Sequence, residues 1–319
     1  MIIVTQGHQN GIGLEVFFKS IIVSERALSQ QCLLIAYPHS VKMTLESLHL
    51  PYKISQDFIE ITHRKIAVKW LEHIECSESF TALTEGMLLC EEGGHLLFTL
   101  PTAKDQFPGF NGHTEYFRSH YQLPELGMFF LSHDLKMLLL SDHIPLRAVP
   151  LLSSAVITER ISKAIRQLQL WQWPIASVLV AGINPHAGEG GLIGDEDGKI
   201  AQALSKLKTQ FNFSLQGPIP GDTMQLAQKS RHDLLIYPYH DQGLGIFKSL
   251  QGFIGANVTL GLSYPRFSPD HGTSFSLFAK NKADYRGCTY ALCEALKLSE
   301  LINGRNSRHQ STGSQSKKR

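Results

Sequence analysis

Short apolar runs alternate with amphipathic stretches along most of the chain. The apolar runs predict strands at 2–5, 32–36, 95–100, 128–132, 136–140, 175–181 and 233–237. Apolar positions at helical spacing predict helices at 14–23, 40–48, 77–90 and 153–170, with two further helix starts near residues 113 and 223. Strands that alternate with helices in this way are typical of a layered α/β fold with a mainly parallel sheet.

The composition indicates a soluble globular protein with room for two domains of ordinary size. The chain has 319 residues, of which 43% are hydrophobic and 18% charged, and its formal net charge is +2. Five basic residues lie in 303–319, a segment without acidic or large apolar residues, which we expect to be a disordered tail. The tail could touch RNA or an anionic surface, although we favour a solvated end. The rest of the chain carries 25 basic and 28 acidic residues, so no basic field argues for nucleic acid binding.

The sequence offers no sign of a membrane or secreted protein. No apolar run approaches the eighteen or so residues of a membrane span, and the first residues lack the charged start and long apolar run of a signal peptide. Five scattered cysteines form no CxxC pair, so we expect reduced thiols rather than disulfides or a thiolate metal site. These features predict a cytoplasmic protein.

Residues 239–274 combine charged side chains with glycine-rich apolar runs, an unusual mixture for a segment that only fills a core. The polar positions are His240, Asp241, Lys248, Asn257, Arg266, Asp270 and His271. Neutral imidazole is the commonest ligand for zinc and similar ions, and a lysine with an arginine can hold a phosphate or a carboxylate. The mixture predicts a site for a metal and a small acidic substrate. Any single histidine could instead be a surface residue or a hydrogen-bonded core residue.

Three histidines, His143, His186 and His240, each follow a predicted strand. Ligands of α/β proteins lie at the carboxyl ends of strands, and three imidazoles from three strand ends would form an open metal site with positions left for substrate and water. His186 lies in residues 182–191, where glycines surround Glu189 and allow close approach of a ligand. The alternative for this segment is a plain connection between strand and helix.

Two other loops could offer groups to a ligand. Residues 7–13 form a glycine turn between a predicted strand and a helix, where free N–H groups attract anions, although the spacing is not GxGxxG. Residues 112–115 read GHTE, so His113 and Thr114 could face a cleft. Thr114 could equally be a helix cap.

With these residues in view, the chain resembles the NAD-dependent 4-hydroxythreonine-4-phosphate dehydrogenases of pyridoxal 5′-phosphate biosynthesis, from Thr5 to about Leu296. The matching signatures, in the family's order, are GHTE at 112–115, HIPL at 143–146, GINPHAGEGG at 182–191, GPIPGDT at 217–223, YHDQGL at 239–244, NVTLGL at 257–262 and RFSPDHGT at 266–273. The resemblance implies a homodimer of two α/β/α domains, similar in fold to isocitrate and isopropylmalate dehydrogenases, with each active site at the domain cleft and the dimer interface. It also implies a discontinuous first domain (1–125 with 258–302), a second domain (126–257) and the tail (303–319).

The same resemblance implies roles for individual residues. A divalent metal (Zn, Mg or Co) would be held by His143, His186 and His240. The substrate would be held by His113, Thr114, Lys248, Asn257 and Arg266. Two loops would wall the NAD or NADP site through Asn184, Gly188, Glu189, Gly190, Asp270 and Thr273. The proton acceptor stays open among Asp241, Lys248 and a metal-bound water.

The reaction implied by the resemblance is metal-dependent oxidation of 4-phosphohydroxy-L-threonine by NAD(P) to a β-keto acid, which decarboxylates to 3-amino-2-oxopropyl phosphate. The family's first loop usually reads GDPAGIGPE or GEPAGIGPE, whereas residues 7–15 read GHQNGIGLE, so His8 replaces the usual acid. This departure motivates an alternative, a dehydrogenase of 4-phospho-D-threonate or 4-phospho-D-erythronate. A third interpretation is a catalytically inactive metal-binding relative, or an acyl or phosphate transferase on a related fold.

Overall fold

The computed structural model describes the backbone of residues 1–313 and the side chains of residues 1–302. In chain order its strands and helices are β1 (Ile2–Thr5), α1 (Gly13–Val23), α2 (Arg26–Gln31), β2 (Cys32–Ala36), α3 (Pro38–Leu48), β3 (Tyr52–Ile54), β4 (Phe58–Ile61), β5 (Arg64–Trp70), α4 (Glu78–Glu91), β6 (Leu96–Thr99), α5 (His113–His120), β7 (Gly127–Leu131), β8 (Lys136–Leu139), α6 (Ser154–Leu170), β9 (Ser177–Ala181), α7 (Asp197–Leu207), β10 (Ser214–Ile219), α8 (Met224–Ala227), β11 (Leu234–Tyr237), α9 (His240–Gln251), β12 (Ala256–Leu260), β13 (Arg266–Pro269) and α10 (Arg286–Gly313). The predicted α/β class is confirmed, and every predicted strand and helix is present with its ends shifted by a few residues at most.

The chain divides into two compact units. The first unit consists of Met1–Gln122 and the chain from Leu262 onward, and the second unit consists of Leu123–Gly261. The boundaries predicted from the sequence were 1–125 with 258–302 and 126–257. Within the described residues, no helix is both long enough and apolar enough to cross a membrane.

The strands of the first unit follow the order β13-β6-β1-β2-β5-β4-β3. The strands from β13 to β5 are parallel, and β5, β4 and β3 form an antiparallel meander. Strand β1 is buried along its whole length: it pairs with a strand on each side, and α4 and α10 contact it. A continuous apolar run suits such a central parallel strand.

The strands of the second unit follow the order β10-β9-β11-β8-β7-β12. The first four are parallel, whereas β7 and β12 are antiparallel to their neighbours. Their core includes Phe130, Met137, Leu235, Tyr237 and Phe247, all almost fully buried. The carboxyl ends of β9, β11 and β8 therefore lie side by side at one edge of the sheet.

The last helix continues further than the composition predicted. Disorder was expected from residue 303, whereas α10 extends to Gly313. Residues 314–319 of the predicted tail lie outside the described residues.

Candidate active site

The three predicted metal ligands follow three neighbouring parallel strands. His143 comes after β8, His186 after β9, and His240 is the first residue of α9 directly after β11. Strand β11 pairs with β8 on one side and with β9 on the other. We call His143, His186 and His240 the histidine edge, because all three leave the sheet at its carboxyl edge, where α/β proteins bind ligands.

His143 and His240 are brought together by bonds between the ends of their strands. The Leu140 amide donates to the Tyr237 carbonyl (2.8 Å), and both the amide and the hydroxyl of Ser141 donate to the Pro238 carbonyl (3.1 and 2.6 Å). As a result the two imidazole rings lie 5.5 Å apart between centres. An imidazole nitrogen lies about 2.0–2.1 Å from a bound zinc ion, so two rings that share one ion have centres about 5 Å apart. The pair therefore fits one divalent ion.

His186 lies on a turn with an unusual backbone. The five residues from His186 to Gly190 all have φ between 44° and 79°, so the chain is left-handed through most of the segment Pro185–Gly191. A left-handed conformation costs about 1–2 kcal/mol for each residue other than glycine, and such strain concentrates at functional sites. Gly188 is required here, since a Cβ would lie 2.4 Å from the Gly194 carbonyl oxygen.

A buried carboxylate holds this turn in place. Asp197, the first residue of α7, is 4% exposed and accepts hydrogen bonds from the amides of Ile183 (2.6 Å) and Asn184 (3.1 Å). It also accepts a bond from the Asn184 side chain (3.0 Å), which donates to Glu196 as well (2.8 Å). Asn184 was predicted to bind the cofactor, and its amide is already engaged by these two acids. Asp197 was not among the predicted residues, although an acid at the start of a helix after a glycine-rich loop is a signal that could have indicated it.

Carboxylates also contact two of the histidine rings. Nδ1 of His186 lies 2.6 Å from Oε1 of Glu189, and Nδ1 of His240 lies 2.8 Å from Oδ1 of Asp241. The hydrogen bond that the His186 ring donates to Glu189, together with the negative charge of that carboxylate, raises the pKa of His186. Because each carboxylate contacts Nδ1, Nε2 is the ring nitrogen that a metal could approach.

The three histidines meet part of what a divalent metal requires. Imidazoles oriented by carboxylates suit a divalent ion, and His143 and His240 have a suitable spacing. Among the described residues of one chain, no group of three histidine, cysteine or carboxylate side chains is gathered closely enough to hold an ion. His143 and His240 are therefore spaced to bind one divalent ion. Within a single chain, His186 does not lie close enough to join them.

A buried arginine dominates the predicted substrate residues of the first unit. Arg266 is 4% exposed, and its guanidinium donates from Nη2 (2.6 Å) and Nε (3.1 Å) to the Thr99 hydroxyl. It also lies over the Phe117 ring, 5.7 Å from the ring centre. Burial lowers the pKa of Arg266 to about 10, although Tyr264 opposes this shift. The group stays charged at neutral pH, in surroundings where an anion would be bound strongly.

His113 belongs to the same part of the first unit. Its ring packs on Phe107 and Phe117, with centres 4.9 and 6.3 Å apart. Burial, followed by the positive charge of Arg266, lowers the pKa of His113 well below its usual value, so the imidazole is neutral at neutral pH. We call Arg266, His113, Thr99 and Phe117 the arginine corner.

The other predicted substrate residues lie on regular elements. Thr114 is the second residue of α5, Lys248 is exposed in the last turn of α9, and Asn257 lies on β12 opposite Phe130. The Oδ1 atom of Asn257 is enclosed, and within the described residues it has no hydrogen-bond partner. An enclosed acceptor of this kind is suited to a ligand donor.

The predicted cofactor turn at 270–273 lies beside the first glycine loop. The Ile12 amide donates to the Thr273 carbonyl (3.0 Å), and the buried His8 ring lies edge-on to Phe275 at 4.7 Å. A Cβ on Gly7 would lie 2.1 Å from the Pro101 carbonyl oxygen, so only glycine fits there. Asp270 is buried just after β13.

The second unit also contains a pocket beside the left-handed turn. Its volume is about 460 Å³, and small residues form most of its walls: Ala187, Gly190, Gly194, Ala201 and Pro218. Asp195 is an exposed acid among its lining residues. The turn that carries His186 and Glu189 therefore adjoins open space.

Together these features define an α/β protein with a candidate ligand site at the carboxyl edge of parallel strands. The chain belongs to the PdxA family of pyridoxal phosphate biosynthetic proteins, whose family model matches residues 17–295. The resemblance inferred from the sequence motifs is thereby confirmed.

Individual relatives agree with this family. Over 195 residues the chain is 38% identical to 4-hydroxythreonine-4-phosphate dehydrogenase of Citrobacter koseri, an alignment that spans 59% of this chain and 58% of that protein. The chain thus matches less than two thirds of that relative. The crystal structure of 4-hydroxythreonine-4-phosphate dehydrogenase from Klebsiella pneumoniae is 26% identical, with a TM-score of 0.80 and coverage of 94% of this chain and 98% of that one. The enzyme of the same name from Burkholderia phymatum is 25% identical, with a TM-score of 0.74 and coverage of 93% and 97%.

Proposed function

We propose that this protein oxidises 4-phosphohydroxy-L-threonine with NAD or NADP in a divalent-metal-dependent reaction, as a step of pyridoxal 5′-phosphate biosynthesis in the cytoplasm. The observation that carries the proposal is the pair His143 and His240, with rings 5.5 Å apart at the ends of adjacent parallel strands. Membership of the PdxA family and the names of the relatives support the choice of substrate.

The reaction converts the C3 hydroxyl of the substrate to a ketone. The hydride from C3 passes to the nicotinamide, and the hydroxyl proton passes to a base. The β-keto acid that results loses its carboxylate as carbon dioxide, and the enolate left behind takes up a proton on carbon to give 3-amino-2-oxopropyl phosphate. The cofactor supplies the hydride chemistry, and the protein binds and orients the reactants.

The residues of this chain have distinct tasks in that reaction. Arg266 binds an anionic group of the substrate by its planar fork, and neutral His113 offers a hydrogen bond without adding charge. The enclosed Asn257 Oδ1 accepts from a substrate hydroxyl or ammonium group. Lys248 and Asp241 are the candidates for the proton acceptor. When bound at the histidine edge, a divalent ion supplies Lewis-acid polarisation of the substrate oxygens.

We assign the cofactor to the predicted residues Gly188, Gly190, Asp270 and Thr273. The pocket beside the left-handed turn supports the first pair, since its walls of glycine and alanine leave room for a planar group.

We also propose that the protein acts as a homodimer and that a second copy completes the metal site. Two observations support this. The described residues of one chain gather no set of three ligands, and large apolar side chains are exposed after the histidine loops at Leu146, Leu151 and Leu192. Exposed apolar side chains of this kind are typical of interfaces between subunits.

Mixing two inactive variants tests the shared site. If the ligands come from two copies, a mixed dimer of His186→Ala and His143→Ala has one doubly altered site and one intact site, so activity returns on mixing. No recovery after subunit exchange, confirmed by mass spectrometry of the mixed dimer, would place all ligands in one chain.

The activity is tested by spectrophotometry of NADH and NADPH formation. Purified, metal-loaded protein is offered 4-phosphohydroxy-L-threonine and 4-phospho-D-threonate side by side, with each cofactor. Turnover of the first substrate supports the proposal, and it should vanish in His186→Ala. Silence with both substrates would overturn the dehydrogenase assignment.

A second candidate is a dehydrogenase of 4-phospho-D-threonate or 4-phospho-D-erythronate. The observation that favours it is the first glycine loop, where His8 is buried, accepts from the Asn10 amide at Nδ1 (3.0 Å) and packs on Phe275. Exclusive turnover of the sugar-acid phosphates in the same assay would establish this candidate.

A further inference from the structure

We infer that Glu189 and Asp241 are positioning residues that fix the rings of His186 and His240, so that both histidines present Nε2 to the divalent ion. The inference rests on the metal assignment of the proposed function. It gives these two carboxylates a task different from the cofactor contact and the proton transfer that their positions in the sequence suggested.

The contact between Glu189 and His186 follows from the backbone of the turn. In a left-handed turn, as in a right-handed one, side chains three residues apart lie on the same side. The Ala187 amide donates to the Asn184 carbonyl (3.0 Å), and the Ile193 amide donates to the Gly188 carbonyl (3.1 Å), which closes the turn on both sides. The side chains of His186 and Glu189 are 61% and 46% exposed. Burial therefore does not hold the pair together, and the local backbone does.

Asp241 contacts its histidine from the next position in the chain. Both residues lie in the first turn of α9, and the Asp241 carboxylate is 94% exposed. A similar pair exists elsewhere, because Nδ1 of His133 lies 2.8 Å from Oδ1 of Asp134. A histidine followed by an aspartate is therefore no site by itself. What distinguishes His240 is the second imidazole, His143, 5.5 Å away.

The chemistry of metal-bound histidine explains the arrangement. A carboxylate that accepts from Nδ1–H stabilises the tautomer whose Nε2 carries a lone pair, fixes the ring orientation, and makes the ring a stronger ligand. Loss of such a partner typically weakens metal binding by about 10–100-fold. Both ligands with a carboxylate partner use the same ring nitrogen for it, so the same Nε2 atom is left for the metal in both.

The test uses the full-length protein and two isosteric variants, Glu189→Gln and Asp241→Asn. Zinc affinity is measured by competition with a chromophoric chelator, and the imidazole tautomers of the metal-free protein by ¹⁵N nuclear magnetic resonance. We expect each variant to bind zinc about 10–100-fold more weakly and to lose the Nδ1–H tautomer at its own histidine only. Asp195→Asn and Asp134→Asn are matched controls, because each removes an exposed acid that contacts neither His186 nor His240.

Two results would overturn the inference, and they differ from each other. Unchanged zinc affinity and tautomers in Glu189→Gln, with a raised KM for the nicotinamide cofactor, would return Glu189 to a cofactor role. Unchanged zinc affinity in His186→Ala and His240→Ala would instead show that the metal assignment of the proposed function is wrong, and the positioning role with it.

Discussion

The histidine edge and the arginine corner place ionisable groups in opposite environments, one exposed and one buried. At the histidine edge, His186 and His240 lie beside exposed carboxylates, and their side chains are 61% and 31% exposed. At the arginine corner, a fully buried guanidinium contacts a neutral hydroxyl and an aromatic ring. The first arrangement suits a metal cation, because neutral imidazoles can act as ligands and the nearby carboxylates favour a positive charge. The second suits an anion, because a desolvated cation gains most from an opposite charge.

The two regions also differ in which unfavourable term the fold has to offset. In the second unit, the cost of the left-handed turn is met by Asp197 and its bonds to Ile183 and Asn184. In the first unit, the cost is the desolvation that lowers the pKa of Arg266 to about 10. The histidine edge thus depends on backbone geometry, and the arginine corner depends on a buried charge. Substitutions in the two regions should therefore have different effects on the protein.

The largest effect is expected at the histidine edge. His240→Ala should lower kcat/KM at least about 1,000-fold, because Lewis-acid polarisation contributes several kcal/mol to such reactions. Bound metal, measured by atomic emission after dialysis, should fall with the activity. The matched control is His133→Ala, which removes an exposed histidine with the same bond to the next aspartate and should retain both metal and activity. Full activity in His240→Ala would refute the metal role.

The arginine corner should show a smaller effect, confined to substrate binding. Arg266→Lys keeps the charge but loses the planar fork, and hydrogen bonds to charged groups are worth about 1.5–3 kcal/mol. We therefore expect the KM for the phosphorylated substrate to rise about 10–100-fold with little change in metal affinity. Arg160→Lys, a half-buried arginine paired with Glu125 in the second unit, is the control and should leave KM unchanged. A loss of bound metal in Arg266→Lys would contradict the division between the two regions.

Removing the anchor of the left-handed turn should reduce stability. Asp197→Asn replaces a carboxylate that accepts three N–H bonds with a group that offers one acceptor oxygen and directs donors at donors. A cost of about 1–3 kcal/mol is expected for buried donors left unsatisfied, and urea denaturation measures it. Asp195→Asn changes a neighbouring exposed acid and should cost far less. Equal stability of the two variants would show that the turn does not depend on Asp197.

Much of the fold could be predicted from the sequence, because period and turn residues are local signals. The strands at 2–5 and 32–36 coincide with β1 and β2, and the position of each candidate metal histidine after a strand could be read directly. Other strands were missed, including β3 to β5, whose short alternating runs lie between polar residues at 52–70. Local patterns of that length are ambiguous.

The details that bring the site together depend on distant parts of the chain. Strand β11 lies between β9 and β8, and this strand order makes neighbours of His143 and His240. The strand order cannot be predicted from local sequence patterns. The same holds for Arg266 and Thr99, which are 167 residues apart. The left-handed turn could not be predicted either, because Ala187 and Glu189 are residues of types that ordinarily avoid positive φ.

The smallest effect is expected from His113, through the pH dependence of stability. Burial and Arg266 lower its pKa in the folded state, so below about pH 6.5 the unfolded chain binds a proton that the folded protein does not. Stability should therefore fall as the pH drops from 7 to 5, by less than about 1.4 kcal/mol per pH unit because a single imidazole accounts for at most one proton. In His113→Asn this part of the slope should disappear, as measured by urea denaturation at each pH. The variant His133→Asn, in the other unit, controls for the loss of a histidine as such. Identical slopes in His113→Asn and the unaltered protein would mean that His113 is protonated as readily in the folded state as in the unfolded one, and the arginine corner would then lack the neutral imidazole assigned to it.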